Sequence, residues 1–228
     1  MPVVLCYGDS NTHGSVPNDG TGPWLRHDRR TRWPGRMADL LGPGWHVIEE
    51  GLPGRTTCHD SPFDGPHKNG LRLIGATLES HAPVDLVILM LGTNDLKALY
   101  SATAFDIAKG VRMLAQRVLA SQAGPGFAPP RLLLVAPAPI TEIGAAGEQL
   151  AGGAAKSRAL AGRLAALAQE IGADFLDAGA VVAVSDIDGV HLCSSAHERL
   201  GEALADRLRE MEPGFLRLKT GVQPGRMQ

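Results

Sequence analysis

The chain has 228 residues, 44% of them hydrophobic and 20% charged, with a formal net charge of −2 at pH 7. That length and composition fit one globular core, and the near-neutral balance excludes the strongly basic surface that nucleic acid or anionic lipid would require. Cys6, Cys58 and Cys193 stand far apart with no CxxC pair, so neither a disulfide framework nor a metal site is indicated, and no stretch reaches the ~18 apolar residues of a membrane span. The opening MPVVLCYG is too short for a secretory leader. A cytoplasmic, soluble protein acting on a small or neutral molecule, without metal or cofactor, is the expectation.

Taken in chain order, short apolar runs alternate with longer amphipathic stretches, the pattern of a parallel sheet covered by helices. Val3–Tyr7 is the first strand. Trp33–Leu41 is a short helix with Pro34 in its first turn, where a missing N–H costs little. Trp45–Glu49 is the second strand and Leu71–Ser80 a helix. Asp85–Leu91 has no polar alternation, which suits a central strand buried on both faces. Thr103–Ser121 is a long helix opened by Thr103 with Asp106 three residues on, a variant capping box. Leu132–Ala136 is the fourth strand, Ala151–Ile171 an alanine-rich helix stopped by Gly172, and Asp174–Asp177 the fifth strand. Ser195–Met211 is the final helix, with Ser195 and Glu198 as a capping box. No repeat or linker interrupts this order, so residues 1–211 read as one domain and 212–228 as a flexible tail.

Ligands of such sheets bind beyond the carboxyl ends of the strands, so the polar residues just after each strand carry the functional signal. After the first strand comes Gly8-Asp9-Ser10-Asn11-Thr12. A serine in a tight strand-to-helix turn exposes its hydroxyl and points its own N–H into the site; a phosphate-binding turn of flavodoxin type has the same composition. After the second strand, Gly54 could present a bare backbone N–H to a substrate oxygen, or could serve only as a turn residue. After the third strand, the Asn94 amide in Gly92-Thr93-Asn94-Asp95 could donate to an oxyanion, or cap the strand end.

The segment Asp188-Gly189-Val190-His191 decides between these readings. A serine hydroxyl is a poor nucleophile until a base takes its proton, and an imidazole serves as that base once a carboxylate fixes its tautomer and orientation. A three-residue spacing in a loop can bring Asp188 to one ring nitrogen of His191 and leave the other for Ser10. His197 falls inside the last helix and reads as solvated. His13, His59 and His67 fall in rim loops that could line the pocket. Asp9 and Asp95 read as loop ties rather than substrate contacts.

GDS, a glycine after strand two, GTND and DxxH occur in this order, each just after a strand. Together they resemble the SGNH hydrolase superfamily of GDSL-type esterases and lipases, over roughly residues 3–210. The four block residues fall on Ser10, Gly54, Asn94 and His191. CYGDSNTHG, IEEGLPGRTT, VILMLGTNDLK and DGVHL resemble the bacterial arylesterase and acyltransferase subgroup, although Asn11 stands where the family motif has leucine. The resemblance implies a three-layer α/β/α fold with a flavodoxin-like, five-stranded parallel sheet, and an intracellular homo-oligomer. It also implies Ser10 as nucleophile, His191 as base, Asp188 as its orienter, and an oxyanion hole from Ser10, Gly54 and Asn94. The expected partner is a small ester, with a short acyl chain because no long apolar groove is evident, and with acyl transfer to alcohols as a second outcome. A binding module of flavodoxin type, holding a flavin or nucleotide phosphate at Ser10–Thr12, is the alternative; it leaves Asp188 and His191 unexplained, and only 4% of the chain is aromatic. The pocket walls are expected from loops 11–24, 59–69 and 137–149, with Trp24 as a candidate wall residue.

Overall fold

A computed structural model describes residues 1–220, with side chains through Met211. Five parallel strands, β1 (Val3–Gly8), β2 (His46–Gly51), β3 (Leu86–Met90), β4 (Arg131–Ala136) and β5 (Asp174–Asp177), form one sheet in the order β2-β1-β3-β4-β5. This is the flavodoxin-like order, whose reversal between β1 and β3 opens a crevice at the strand ends. Every residue of β3 is buried, as its unbroken apolar run requires of a central strand.

Among the described residues, seven α-helices complete the layers: α1 (Ser10–His13), α2 (Trp33–Leu41), α3 (Gly70–His81), α4 (Ala104–Leu119), α5 (Gly144–Gln149), α6 (Gly153–Ile171) and α7 (Ser194–Thr220). Alternation along the strands divides the core. Val4, Cys6, Leu86 and Ile88 face α2 and α7 through Trp33, Met37, Leu200 and Leu204. Leu5, Tyr7, Val87 and Leu89 face α3, α4 and α6 through Ile74, Leu114, Val118 and Leu164. A third cluster, including Leu96, Ile107, Ile140, Leu150 and Val190, packs beyond the strand ends and gives the loops there a floor of their own.

The expected elements recur with boundary shifts of a few residues. The capping box of α4 forms, with the Thr103 hydroxyl accepting from Asp106 N–H and the Asp106 carboxylate accepting from Thr103 N–H. Gly172 ends α6 in the left-handed conformation. The capping box expected at the last helix does not form. The first helical bond of α7 runs from His197 N–H to Cys193 C=O, so the helix begins one residue earlier and Ser195 lies inside it. Glu198 instead pairs with Arg36 on α2, at 3.1 Å. The helix also continues past Met211 to Thr220; residues 221–228, the end of the expected tail, lie outside the described residues. The segment 137–149, read as loop, contains α5. No helix among the described residues is long and apolar enough to cross a membrane.

His197 is fully buried rather than solvated. The α7 face carrying it packs on α2: its Nδ1 accepts from Trp33 N–H at 3.3 Å, and its ring lies edge-on to His27 at 5.1 Å between centroids. Burial, with the neighbouring His27, pushes its pKa down to about 3. A histidine with a depressed folded pKa stabilises the fold above its unfolded pKa of ~6.5 and loses that contribution as pH falls toward about 3. The stability difference between wild type and His197→Gln is therefore expected to change by up to about 1.4 kcal/mol per pH unit across that window. Urea melts of both proteins between pH 7 and pH 4 measure it. The comparison between variants matters, because Asp9, with a carboxyl raised to about 6 by burial, titrates with the opposite slope in both proteins. A constant difference across the window would remove His197 as a source of acid sensitivity.

Candidate active site

The chain leaves β1 through Gly8 and turns at once into α1. Asp9 caps that turn: its Oδ1 accepts from Asn11 N–H at 2.9 Å, and its backbone carbonyl accepts from Thr12 N–H and His13 N–H. The turn amides of residues 11–13 are thus consumed internally. Ser10 begins α1 and lines a cavity at the carboxyl rim of the sheet. Asn11 acts in both directions across the site: its Nδ2 donates to Val190 C=O at 3.0 Å, while its Oδ1 accepts from Leu192 N–H at 3.0 Å. The two bonds flank His191 and tie the serine turn to the histidine loop, 180 residues apart in the chain. A leucine at this position could make neither bond.

Asp188 and His191 are brought together as their spacing allowed. Asp188 Oδ2 lies 2.7 Å from His191 Nδ1 and also accepts from Asn18 N–H at 2.9 Å. Oδ1 accepts from the N–H groups of Val190 and His191 at 3.0 and 2.9 Å. Gly189 makes this loop possible: at φ +70° a side chain is disfavoured, and a Cβ would sit 2.2 Å from Thr141 C=O. Burial of Asp188 opposes ionisation, but the hydrogen bonds from His191 and from three backbone N–H groups outweigh it and hold the carboxyl at about 2. An ionised carboxylate only accepts, so Nδ1 of His191 must carry a proton, and the neutral ring then has its lone pair on Nε2. Among the described residues no hydrogen bond joins Ser10 Oγ to His191. The two line the same cavity, and such contacts commonly tighten only when substrate fills the site.

Gly54 occupies the third position of a turn from Leu52 to Arg55, closed by Arg55 N–H to Leu52 C=O at 3.0 Å. Proline at the second position and φ +79° at the third define a type II turn. Among the described residues, neither the Gly54 N–H nor the Ser10 N–H takes part in a backbone hydrogen bond. Asn94, half-buried at the start of a 3₁₀ turn after β3, spends one amide proton on Arg55 C=O at 3.1 Å and keeps a second. Asp95 does not face the cavity: it accepts from Thr57 N–H and the Thr57 hydroxyl, tying the β3 loop to the β2 loop, while burial raises its carboxyl. Asp9 and Asp95 are thus both loop ties.

The cavity at this rim has a volume of about 390 Å³. Ser10, Gly54, Asn94, Asp188 and His191 all line it, and the three expected loops supply its walls, including Trp24. Trp24 is 73% exposed and meets the His191 ring edge-on at 6.3 Å. His13, His59 and His67 are not among the lining residues. His13 Nδ1 lies 3.4 Å from Ser15 Oγ, and His59 stacks on Tyr100 at 4.9 Å. Sequence reading gave no role to Arg55, whose buried guanidinium donates to the carbonyls of Gly8 and Glu50 and lies over the Tyr7 ring at 4.0 Å. It braces the ends of β1 and β2, and no local pattern marks an arginine for burial. No cluster of potential metal ligands occurs among the described residues.

A serine on a strand-to-helix turn, a carboxylate-bound imidazole and three unspent N–H donors around one cavity are the groups that hydrolysis of an acyl ester calls for. The chain matches the GDSL-like lipase/acylhydrolase family over residues 6–209 and belongs to it. It is a carboxylic ester hydrolase. Similar solved structures include a carbohydrate acetylesterase from Sinorhizobium meliloti, 40% identical, covering 92% of this chain and 100% of that one with a TM-score of 0.89. The aryl esterase of M. smegmatis is 40% identical, with 92% and 99% coverage and a TM-score of 0.87. A second S. meliloti member of the carbohydrate acetylesterase family is 38% identical, with 92% and 99% coverage and a TM-score of 0.85. No curated protein matches the sequence significantly.

Proposed function

We propose that this protein hydrolyses short-chain, acetyl-type esters of aryl, alkyl or carbohydrate alcohols through an acyl-enzyme on Ser10. The observation that carries the reading is the Asp188–His191 pair opening onto the cavity that holds Ser10. His191 Nε2 takes the Ser10 proton as Oγ attacks the acyl carbon, and the N–H groups of Ser10 and Gly54 and the Asn94 amide receive the oxyanion. Each such donor is typically worth about 100- to 1,000-fold in rate. His191 then protonates the departing alcohol and next activates water, which releases the acid and frees Ser10. An alcohol that reaches the acyl-enzyme before water is acylated instead, so acyl transfer belongs to the same proposal.

The cavity supports a compact substrate. About 390 Å³ lies near the lower end of the ~300–1,000 Å³ range of ligand pockets, and its walls mix Trp24, Ile143 and Ile187 with Asn18, Lys97 and Gln149. Proteins similar to this chain carry the names aryl esterase and carbohydrate acetylesterase, which fits an acetyl donor with a variable alcohol. The expected result is that kcat/KM for p-nitrophenyl acetate exceeds that for the octanoate by at least ~10-fold, since each methylene a pocket cannot seat costs about 1–3 kcal/mol. A preference for octanoate would overturn the short-acyl assignment. A cytoplasmic homo-oligomer completes the proposal, and light scattering on the purified chain reads its assembly.

The flavin- or phosphate-binding alternative finds no support at the turn it needs. The N–H groups of Asn11, Thr12 and His13 are bonded to Asp9, so none of them is left to cradle a phosphate.

A further inference from the structure

An oxyanion role for Gly54 needs its N–H turned to the cavity it lines, and that direction is set by the orientation of the Pro53–Gly54 peptide. That peptide is the central one of a type II turn, and rotating it by half a turn gives type I without moving the residues on either side. The rotated form would point the Pro53 carbonyl, rather than the Gly54 N–H, toward the cavity. Neither the closing bond from Arg55 to Leu52 nor the contact from Asn94 to Arg55 prevents this, because neither touches the central peptide.

Lys68 does touch it. Its Nζ donates to Pro53 C=O at 2.8 Å, and its side-chain methylenes lie 3.6 Å from where a Gly54 Cβ would stand. The same residue holds the far side of the turn with its backbone: Lys68 C=O accepts from Thr56 N–H at 2.9 Å. Among the described residues, the Pro53 carbonyl is the one polar partner of the Lys68 side chain. Lys68 sits at the end of a 3₁₀ turn, Pro66–Lys68, whose next residue, Asn69, caps α3 by accepting from Leu71 N–H, so its stem starts from fixed backbone.

We propose that Lys68 is a positioning residue for the oxyanion hole: its ammonium locks the Pro53–Gly54 peptide with the N–H toward the cavity and polarises it. Carbonyl and N–H of one peptide share a delocalised π system, so a cation on the oxygen makes the N–H a stronger donor. Lys68 is also among the residues that border the cavity, so its positive charge is near where negative charge develops on the substrate oxygen. Both effects act in the transition state more than on a neutral ester, so they lower the barrier with little change in substrate binding. The inference rests on the reading of Gly54 as an oxyanion donor.

The test compares wild type, Lys68→Met, Lys68→Arg and Ser10→Ala on p-nitrophenyl acetate. Lys68→Met keeps the length and apolar stem but loses the cation; it is expected to lower kcat by about 10- to 100-fold, less than the loss of a direct donor, with KM within twofold. Lys68→Arg can still donate to Pro53 C=O and is expected to recover most of that loss. Inactivation by a p-nitrophenyl phosphonate, whose tetrahedral oxygen occupies the same hole, should slow in Lys68→Met by the same factor as kcat. In the Ser10→Ala background, the Gly54 amide proton should move upfield in the Lys68→Met spectrum and return with arginine. Lys68→Met with wild-type kcat, or a loss confined to KM, overturns the inference while the serine mechanism stands. Activity retained by Ser10→Ala overturns the mechanism and the inference with it.

Discussion

Replacing Ser10 by alanine is expected to reduce kcat for p-nitrophenyl acetate by at least ~10⁴-fold, with the thermal unfolding midpoint within a few degrees of wild type. Losing the nucleophile of a serine–histidine pair removes the covalent route altogether; what remains is donor stabilisation and proximity, the residual seen in other such enzymes. The fold should tolerate the change because, among the described residues, no side-chain hydrogen bond of Ser10 supports the turn; Asp9 and Asn11 hold it through other atoms. A serine-directed phosphonate should add once to the wild-type chain, on the peptide carrying Ser10, and not to the variant. Equal hydrolysis by both proteins would mean that another group performs the chemistry.

Asp188→Asn is expected to cost about 10⁴-fold in kcat through a different failure. Each oxygen of Asp188 accepts two hydrogen bonds: Oδ1 from the N–H groups of Val190 and His191, Oδ2 from Asn18 N–H and the His191 ring. An amide nitrogen in either place confronts donors with donors. If it faces the ring, His191 must accept at Nδ1 and carry its proton on Nε2, the tautomer that cannot take a proton from Ser10. Because the wild-type carboxyl is held at about 2, below its ordinary range, Asp188 stays ionised throughout any practical assay. Its contribution to stability is present above the unfolded carboxylate pKa of ~3.9 and is lost only as pH falls toward about 2. The rate loss in Asp188→Asn should therefore persist between pH 6 and pH 9. A variant within tenfold of wild type at pH 8 would show that the carboxylate does not set the tautomer.

Several features of the site follow from local chemistry and were legible for that reason. An unbroken apolar run such as Leu86–Met90 has few fates other than a central strand. A polar turn after such a strand must then lie at the sheet's carboxyl rim, which places Ser10, Gly54 and Asn94 on one edge once the strands are parallel. The Asp188–His191 contact spans three residues, so its geometry is almost a property of the loop sequence.

The misreadings have a common cause. His197 reads as solvated from its place inside the last helix, yet the face on which it lies is set by α2 packing from a region more than 160 residues away. Ser195 and Glu198 match a capping box, but Arg36 offers Glu198 a partner from outside the helix. His13, His59 and His67 stand in rim segments, and which way each ring turns depends on neighbours such as Ser15 and Tyr100.

The sequence by itself determined the strand and helix order, the polar turns that follow the strands and the spacing that lets Asp188 meet His191. All of these rest on interactions between residues close in the chain or on the solvation of a whole segment. Only the tertiary structure decided how the pieces are held: Asn11 bridging to Val190 and Leu192, Arg55 bracing two strand ends, Lys68 gripping Pro53. Each is a single hydrogen-bonding side chain meeting a backbone carbonyl or N–H far away in sequence. Every residue offers such a carbonyl, so nothing in the amino-acid order distinguishes the partner until the sheet has brought it near.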